Sequence, residues 1–428
     1  MLLNNTLKPA PLQGMDGFPQ NQEARSLLAI SRDEEIFIQL IRRFDGSSKE
    51  ELVDYTGYSR SKVNRVIQSL LDKRIIVETG KSKNTGGRRA VIFSLNGQLG
   101  LVAGVYVGAT SIDLVLTDLS GRWLARSSEV AFVKDGPYKT LDRISEIIGQ
   151  MVSSNGYTNE DVIGMGIGVP GPVDFSLGSL ISPTIMPGWD KFPVVPYIHQ
   201  AFPKAYVVVD NDVNMMAVGE LIKGVGKGVK NLIFAKIGTG IGAGIICEGK
   251  IYRGTYGCAG DIAHICVDKN GPICVCGNTG CLEALAGGPA IANQGVKAIQ
   301  EGRQTVLSEY YKRNNGSLTS IDIGNAAREG DAVAIEIIRN SGRIIGEVIA
   351  GLVNFFNPGM IIIGGGVSKL GNLFLSSIRQ SILKRSLPLA TRDLSILFSD
   401  LGDDAGVIGA VSMAMDMMFA AYADAPLV

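Results

Sequence analysis

Near Gly100 the patterning of the sequence changes, and that change constrains the architecture more than any other feature. Before it, apolar residues recur at helical spacing in three short segments. After it, aliphatic runs of strand length alternate with turns and longer amphipathic stretches, as in an α/β fold. A chain of 428 residues is too long for one ordinary domain. The break therefore reads as a boundary, with an N-terminal arm over 1–30, a small helical unit over 31–95 and an α/β unit over 100–420.

In the small unit, Ile36, Leu40 and Ile41 make a first helix that Asp45-Gly46 stops. Ser48 with Glu51 forms a capping box for a second helix, and Gly57 turns the chain. Ser59 starts a third helix, Arg60 to Asp72, with Val63, Val66, Ile67, Leu70 and Leu71 on one face. Two extended runs, 75–78 and 90–93, flank a polar turn over 80–87. This is the order of a winged helix-turn-helix. Lys+Arg and Asp+Glu are both 41, so net charge is zero and a uniformly basic nucleic-acid coat is excluded. Between Tyr58 and Arg89, however, nine cationic residues face two acids, a local net charge of +7. Ser59, Arg60, Asn64 and Arg65 lie on the polar side of the third helix and suit base edges and phosphates. Lys81, Lys83, Arg88 and Arg89 put cations on the wing. The agreement of helix order, wing and charge points to DNA binding. The bland alternative is a solvated face of an interaction domain.

From residue 101 the reading is strand 101–107, strand 112–117, strand 123–131, helix 138–153, strand 162–168. A similar order returns as 232–237, 243–247, 251–253, a helix over 332–356 and a strand over 360–363. Repetition of one order implies two similar lobes with a cleft between them. The chain has 54 glycines and only 7% aromatics. That balance suits tight turns and close backbone approach to a ligand more than stacking platforms.

All six cysteines lie at or after Cys247. His264, Cys274, Cys276 and Cys281 give H-x9-C-x-C-x4-C, a donor set and spacing for one tetrahedral zinc ion. Gly277 and Gly280 allow the turns that fold three sulfurs around one ion. Four protein ligands close the coordination shell, so the expected role is structural. Cys247, Cys258 and Cys266 are read as small core residues.

The zinc segment sits in GTYGCAGDIAHICV…CVCGNTGCLEALAGG. With VIGMGIGVPGPVD (162–174), VVDNDVNMMAVGE (208–220), KIGTGIGAGII (236–246) and NFFNPGMIIIGGGVS (354–368), it resembles the ROK family of repressors, open reading frames and sugar kinases. The resemblance runs over about Gly100–Ala414. The helix-turn-helix unit points to the regulator branch, with its xylose and N-acetylglucosamine repressors. It implies a two-lobed, actin-like ATPase fold. It also implies that Asp212 matches the kinases' general base, and that Asn211, Asp212, Asp261, His264 and Glu283 contact a sugar. His264 would serve zinc with one ring nitrogen and a sugar hydroxyl with the other.

Two departures bear on chemistry. Kinases of this family open with Asp-x-Gly-Gly-Thr, a phosphate and magnesium loop; here the run is Tyr106-Val107-Gly108-Ala109-Thr110. A tyrosine replaces the acid and a methyl group enters the loop, which argues against ATP and magnesium use. Asp261 and Ala263 replace the family's Glu and Gly. The expectation is therefore a zinc-containing, sugar-responsive DNA-binding regulator, most simply a repressor of carbohydrate genes and not an enzyme. The rival readings are an active ROK sugar kinase and a regulator controlled by a partner protein. A homodimer or dimer of dimers would read a palindromic operator. No apolar run is read as reaching the roughly 18–20 residues that span a bilayer. The first thirty residues carry no signal-peptide pattern. The expected address is cytoplasmic, without a membrane partner.

Overall fold

A computed structural model describes residues 30–83 and 90–423. The arm over 1–29 and the wing tip over 84–89, with Arg88 and Arg89, lie outside the described residues, as do the side chains of Lys81 and Lys83.

The first unit is built by its caps. Ser31 and Glu34 close a reciprocal capping box on helix α1 (Arg32–Arg43), and Ser48 and Glu51 do the same for α2 (Lys49–Thr56). Gly57 ends α2 in the left-handed region, φ 67°. Ser59 accepts from the Lys62 amide at the start of α3 (Arg60–Asp72). The antiparallel wing, β1 (Ile76–Lys83) with β2 (Ala90–Leu95), is longer than its apolar runs suggest: pairing resumes at Ser82 after an irregularity past Glu78.

Each lobe holds one five-stranded sheet. The first contains β3 (Leu101–Val107), β4 (Ser111–Asp118), β5 (Trp123–Val130), β6 (Val162–Val169) and a further strand, with helix α4 (Pro137–Ser154) between β5 and β6. A two-residue ladder, β7 (Val173–Asp174) with β8 (Ser179–Leu180), precedes that further strand, β9 (Tyr206–Asn211). Helix α5 (Asp212–Lys223) then crosses to the second lobe. That lobe has β10 (Leu232–Ile237), β11 (Ile241–Cys247), β12 (Lys250–Tyr252), helix α6 (Ala332–Phe356), β13 (Met360–Gly364), helix α7 (Asn372–Arg385) and β14 (Ser395–Phe398). The strand orders are β5-β4-β3-β6-β9 and β12-β11-β10-β13-β14. In both, the first three strands are antiparallel and the last two join in parallel. The duplication expected from element order is thus present, with a fifth strand in each lobe that the sequence reading did not include.

The last helix, α8 (Ala405–Ala423), was also not foreseen. The segment Gly402–Ala421 is long and apolar enough to cross a membrane by length and composition, contrary to the sequence reading. It is 67% buried inside the protein, so its apolarity is that of a core helix. It lies against α5, β3 and β6 through glycine. A Cβ on Gly409 would stand 1.7 Å from the Met215 carbonyl oxygen, and one on Gly219 2.1 Å from that of Ala405. A Cβ on Gly166 would stand 2.0 Å from the Ala410 oxygen. Backbones this close leave no room for any side chain.

The DNA-binding-type unit is not a tethered appendage. Phe37, Ile38 and Ile41 of α1 share one buried cluster with Val102, Val115, Val411, Met415 and Phe419. Arg42 pairs with Asp416 of α8, and Asp45 pairs with Lys223 at the end of α5.

Replacing Gly409 by Ala should destabilise the protein by about 1–3 kcal/mol, the usual range for overpacking. Gly351, on α6 with no atom within 4 Å of its would-be Cβ, is the control. Gly351→Ala should be neutral or stabilising. Urea titration of both variants checks this.

Candidate functional site

A cleft of about 750 Å3 lies between the lobes. The first lobe and α5 contribute Tyr106, Asn211 and Asp212; the second contributes Lys236, Asp261, His264 and Glu283. All five residues expected at a sugar site therefore line one cavity. The glycine loop 238–242, the turn over 108–111, and Gly365 and Gly366 line it as well.

Local geometry explains how each residue gets there. The N-cap of α5 is Asn211: its side-chain oxygen accepts from the amides of Val213 and Asn214. Its amide nitrogen donates to the Gly171 carbonyl at 3.0 Å. Asn214 donates to Asp210 at 2.9 Å, and Arg253 holds Asp210 from the other side at 2.8 Å. Asn211 thus fixes the strand-to-helix corner, and Asp212, freed from capping, points its carboxylate into the cleft. Glu283 accepts from the Ile241 amide at 3.0 Å and so holds the glycine loop. Asp261 is exposed on the cleft wall.

Asp212 is only 2% exposed, and its Oδ2 atom collects two partners. The Lys236 ammonium pairs with it across the cleft, and the Tyr106 hydroxyl donates to it at 3.3 Å. The Lys236 ammonium also lies 5.5 Å from the Tyr106 ring centre. Burial pushes the Tyr106 hydroxyl up to about 12, so it stays protonated. Burial alone would lower the Lys236 ammonium, but the Asp212 carboxylate outweighs it and raises it above the usual lysine range. Sequence reasoning missed Lys236. A lysine at the penultimate position of a buried strand, just before Gly238-Thr239-Gly240, was the available signal.

The metal-type cluster forms beside the cleft. The donor atoms of His264, Cys274, Cys276 and Cys281 all lie within 4.8 Å of one another. The Cys274 sulfur is 3.6 Å from His264 Nδ1, and the Cys276 and Cys281 sulfurs are 3.7 Å apart. Zinc–sulfur bonds of about 2.3 Å in a tetrahedron require sulfur–sulfur edges of about 3.8 Å, so the donors fit one ion. Gly277 and Gly280 have φ of 86° and 69°, as tight turns here demand. A Cβ at Gly280 would strike the Asp268 carbonyl oxygen at 1.6 Å. The other cysteines correct the sequence reading. Cys258 and Cys266 are exposed and Cys247 is half-buried, because the first two sit on irregular loops and the third ends a strand at a turn.

On the first unit, Ser59, Arg60, Asn64 and Arg65 share one exposed face of α3. Two other cations of the +7 block are paired with acids of α1. Lys62 pairs with Asp33 at 2.9 Å over the Tyr58 ring, and Lys73 pairs with Glu34 at 2.8 Å.

The sequence pattern of the ROK family matches residues 102–417. The chain belongs to the ROK family. Within it, the chain is 32% identical to a xylose repressor of Caldicellulosiruptor bescii over 373 residues, 87% of this chain and 92% of that one. It is 36% identical to a glucokinase of Halalkalibacterium halodurans over 307 residues, 72% of this chain and 92% of that protein. The crystal structure of a ROK transcriptional regulator, described as a homologue of E. coli MLC protein, matches with a TM-score of 0.77 at 25% identity. That match covers 91% of this chain and 99% of the other. The ROK chain therefore combines an actin-like, two-lobed fold with an N-terminal winged helix-turn-helix.

Cys276→Ser should abolish stoichiometric metal binding, which elemental analysis of purified protein would show. Because His264 lines the cleft, the variant should also lose ligand affinity together with thermal stability.

Proposed function

We propose that this chain is a sugar-responsive transcriptional regulator, most simply a repressor of carbohydrate-metabolism genes. The observation that carries the reading is that the winged unit and the lobe bearing Asn211 and Asp212 share one hydrophobic cluster and two ion pairs. A ligand site and a DNA-binding face so joined can bias one another. The units are 31–95 for DNA and 100–420 for ligand, with 1–30 as an arm. Arg60, Asn64 and Arg65, with Ser59 at the helix start, meet base edges and phosphates. Lys81, Lys83, Arg88 and Arg89 of the wing meet the backbone. Asn211, Asp212, Asp261, His264 and Glu283 take the hydroxyls of a sugar or sugar derivative. One zinc ion on His264, Cys274, Cys276 and Cys281 has a structural role. The regulator acts in the cytoplasm as a homodimer or dimer of dimers on a palindromic operator.

The second reading is a ROK sugar kinase, favoured by the intact loop 238–242 and the presence of Asp212 in the cleft. Against it stands the occupation of Asp212. A general base must be free to take the sugar proton, and here Lys236 and Tyr106 hold the carboxylate. Tyr106 also stands where the kinases carry their loop acid, and Ala109 crowds the turn. Phosphoryl transfer depends on such positioning and charge neutralisation.

Two measurements separate the readings. Gel shifts against genomic fragments should reveal a preferred fragment, with Arg65→Ala relaxing that preference. Lys81→Ala should weaken all DNA alike and reduce the salt slope by about 0.9. Binding with no preferred fragment would remove the regulator reading. Sugar-dependent ADP release should be absent. Turnover of about 1–10³ per second, abolished by Asp212→Ala, would establish the kinase instead.

A further inference from the structure

Two helices leave the Asp212 corner and both end on the DNA-binding unit. Helix α5 begins at Asp212 and ends at Lys223, which pairs with Asp45. Helix α8 passes Tyr106 with its first turn, and its Asp416 pairs with Arg42. Each run of ten or eleven residues spans about 15–17 Å at 1.5 Å per residue. The helices cannot slide freely on each other, because Gly219 and Gly409 bring their backbones into direct contact.

Tyr106 joins the cleft to the second of these helices. Its hydroxyl donates to Asp212, while its ring covers Gly406 so closely that a Cβ there would stand 2.1 Å from a ring carbon. The ring is therefore held between the Asp212 carboxylate on one side and the backbone of α8 on the other. A ligand hydroxyl that takes Asp212 must compete with the Tyr106 hydroxyl and the Lys236 ammonium. A ring displaced toward α8 meets backbone with no slack, so α8 must move with it.

We propose that Tyr106 is a positioning residue that transmits occupancy of the cleft through α8 to Arg42, and so sets the placement of the DNA-binding unit. The residue that departs from the kinase loop thus has a role of its own and is not only a lost acid. This inference rests on the reading of the cleft as an effector site.

The test is hydrogen exchange on full-length protein, wild type against Tyr106→Phe, without added ligand. The variant keeps the ring on Gly406 and loses only the hydroxyl's contacts to Asp212 and Lys236. Exchange should change in segment 405–416 and in α1, with strands β10 and β13 unaltered. Change confined to the start of α5, no change at all, or a uniform loosening of the chain would each overturn the proposal. Gly406→Ala pushes the ring from the opposite side and should alter exchange at the start of α5. No change there would likewise count against it. A second arm adds D-xylose, D-glucose or N-acetyl-D-glucosamine. A sugar that alters exchange in α1 of wild type should bind Tyr106→Phe and leave α1 at least about fivefold less affected, within the usual 5- to 150-fold span of coupling. An undiminished effect on α1 in the variant would overturn the proposal. Failure of all three sugars to bind wild type would count against the effector reading alone, since the ligand-free comparison still decides the role of Tyr106.

Discussion

Everything in this molecule is arranged around the contact of α8 with α5, β3 and β6. At that contact backbone meets backbone, and only glycine at 166, 219 and 409 permits it. Close packing on this scale makes the two helices and the first sheet one stiff body. The cleft opens at one end of that body and the winged unit is fastened to the other. The buried cluster of Phe37, Ile38 and Ile41 with Val411, Met415 and Phe419 crosses the boundary that the change of patterning marks in the sequence. Between the two units, Gly97–Leu99 is a single short turn leading directly into β3.

The cleft shows how one fold serves catalysis or sensing with few changes. In it stands a carboxylate suited to take a proton from a sugar hydroxyl, and across from it a glycine loop suited to phosphate. Lys236 and Tyr106 alter that chemistry. A carboxylate paired with an ammonium and accepting from a phenol, both partners held in their protonated forms, is engaged as a hydrogen-bond acceptor. In the proposed reading, such a group takes up a polyol hydroxyl without removing its proton. The metal-type cluster then organises the opposite wall, because folding three sulfurs and His264 Nδ1 around one point also orients the rest of the imidazole.

Much of the fold was legible because it is written locally. The two serine–glutamate boxes, Gly57 and the Val63–Leu71 stripe define the helix-turn-helix without help from elsewhere in the chain. The repeated strand order gave both lobes. The spacing of His264, Cys274, Cys276 and Cys281 gave the cluster, since its ligands lie within one stretch of chain. What escaped is what depends on distant partners. Helix α8 has little amphipathic signal because it is buried on nearly all sides. Strand β14 has only four residues, and β9 runs directly into α5 without a turn to mark its end. Lys236 looked like one more lysine until its strand was set opposite Asp212. Lys62 and Lys73, counted toward a basic face, are used to hold α1 against α3.

The central claim is that ligand in the cleft and DNA on the winged unit share one free-energy balance. Calorimetric titration of the bound sugar, with and without the preferred DNA fragment, tests it most directly. The account predicts affinities that differ by about 5- to 150-fold, with the sugar changing DNA affinity by the same factor, as linkage requires. Equal sugar affinities in the two titrations would mean that the cleft and the winged unit are energetically independent, and would contradict it.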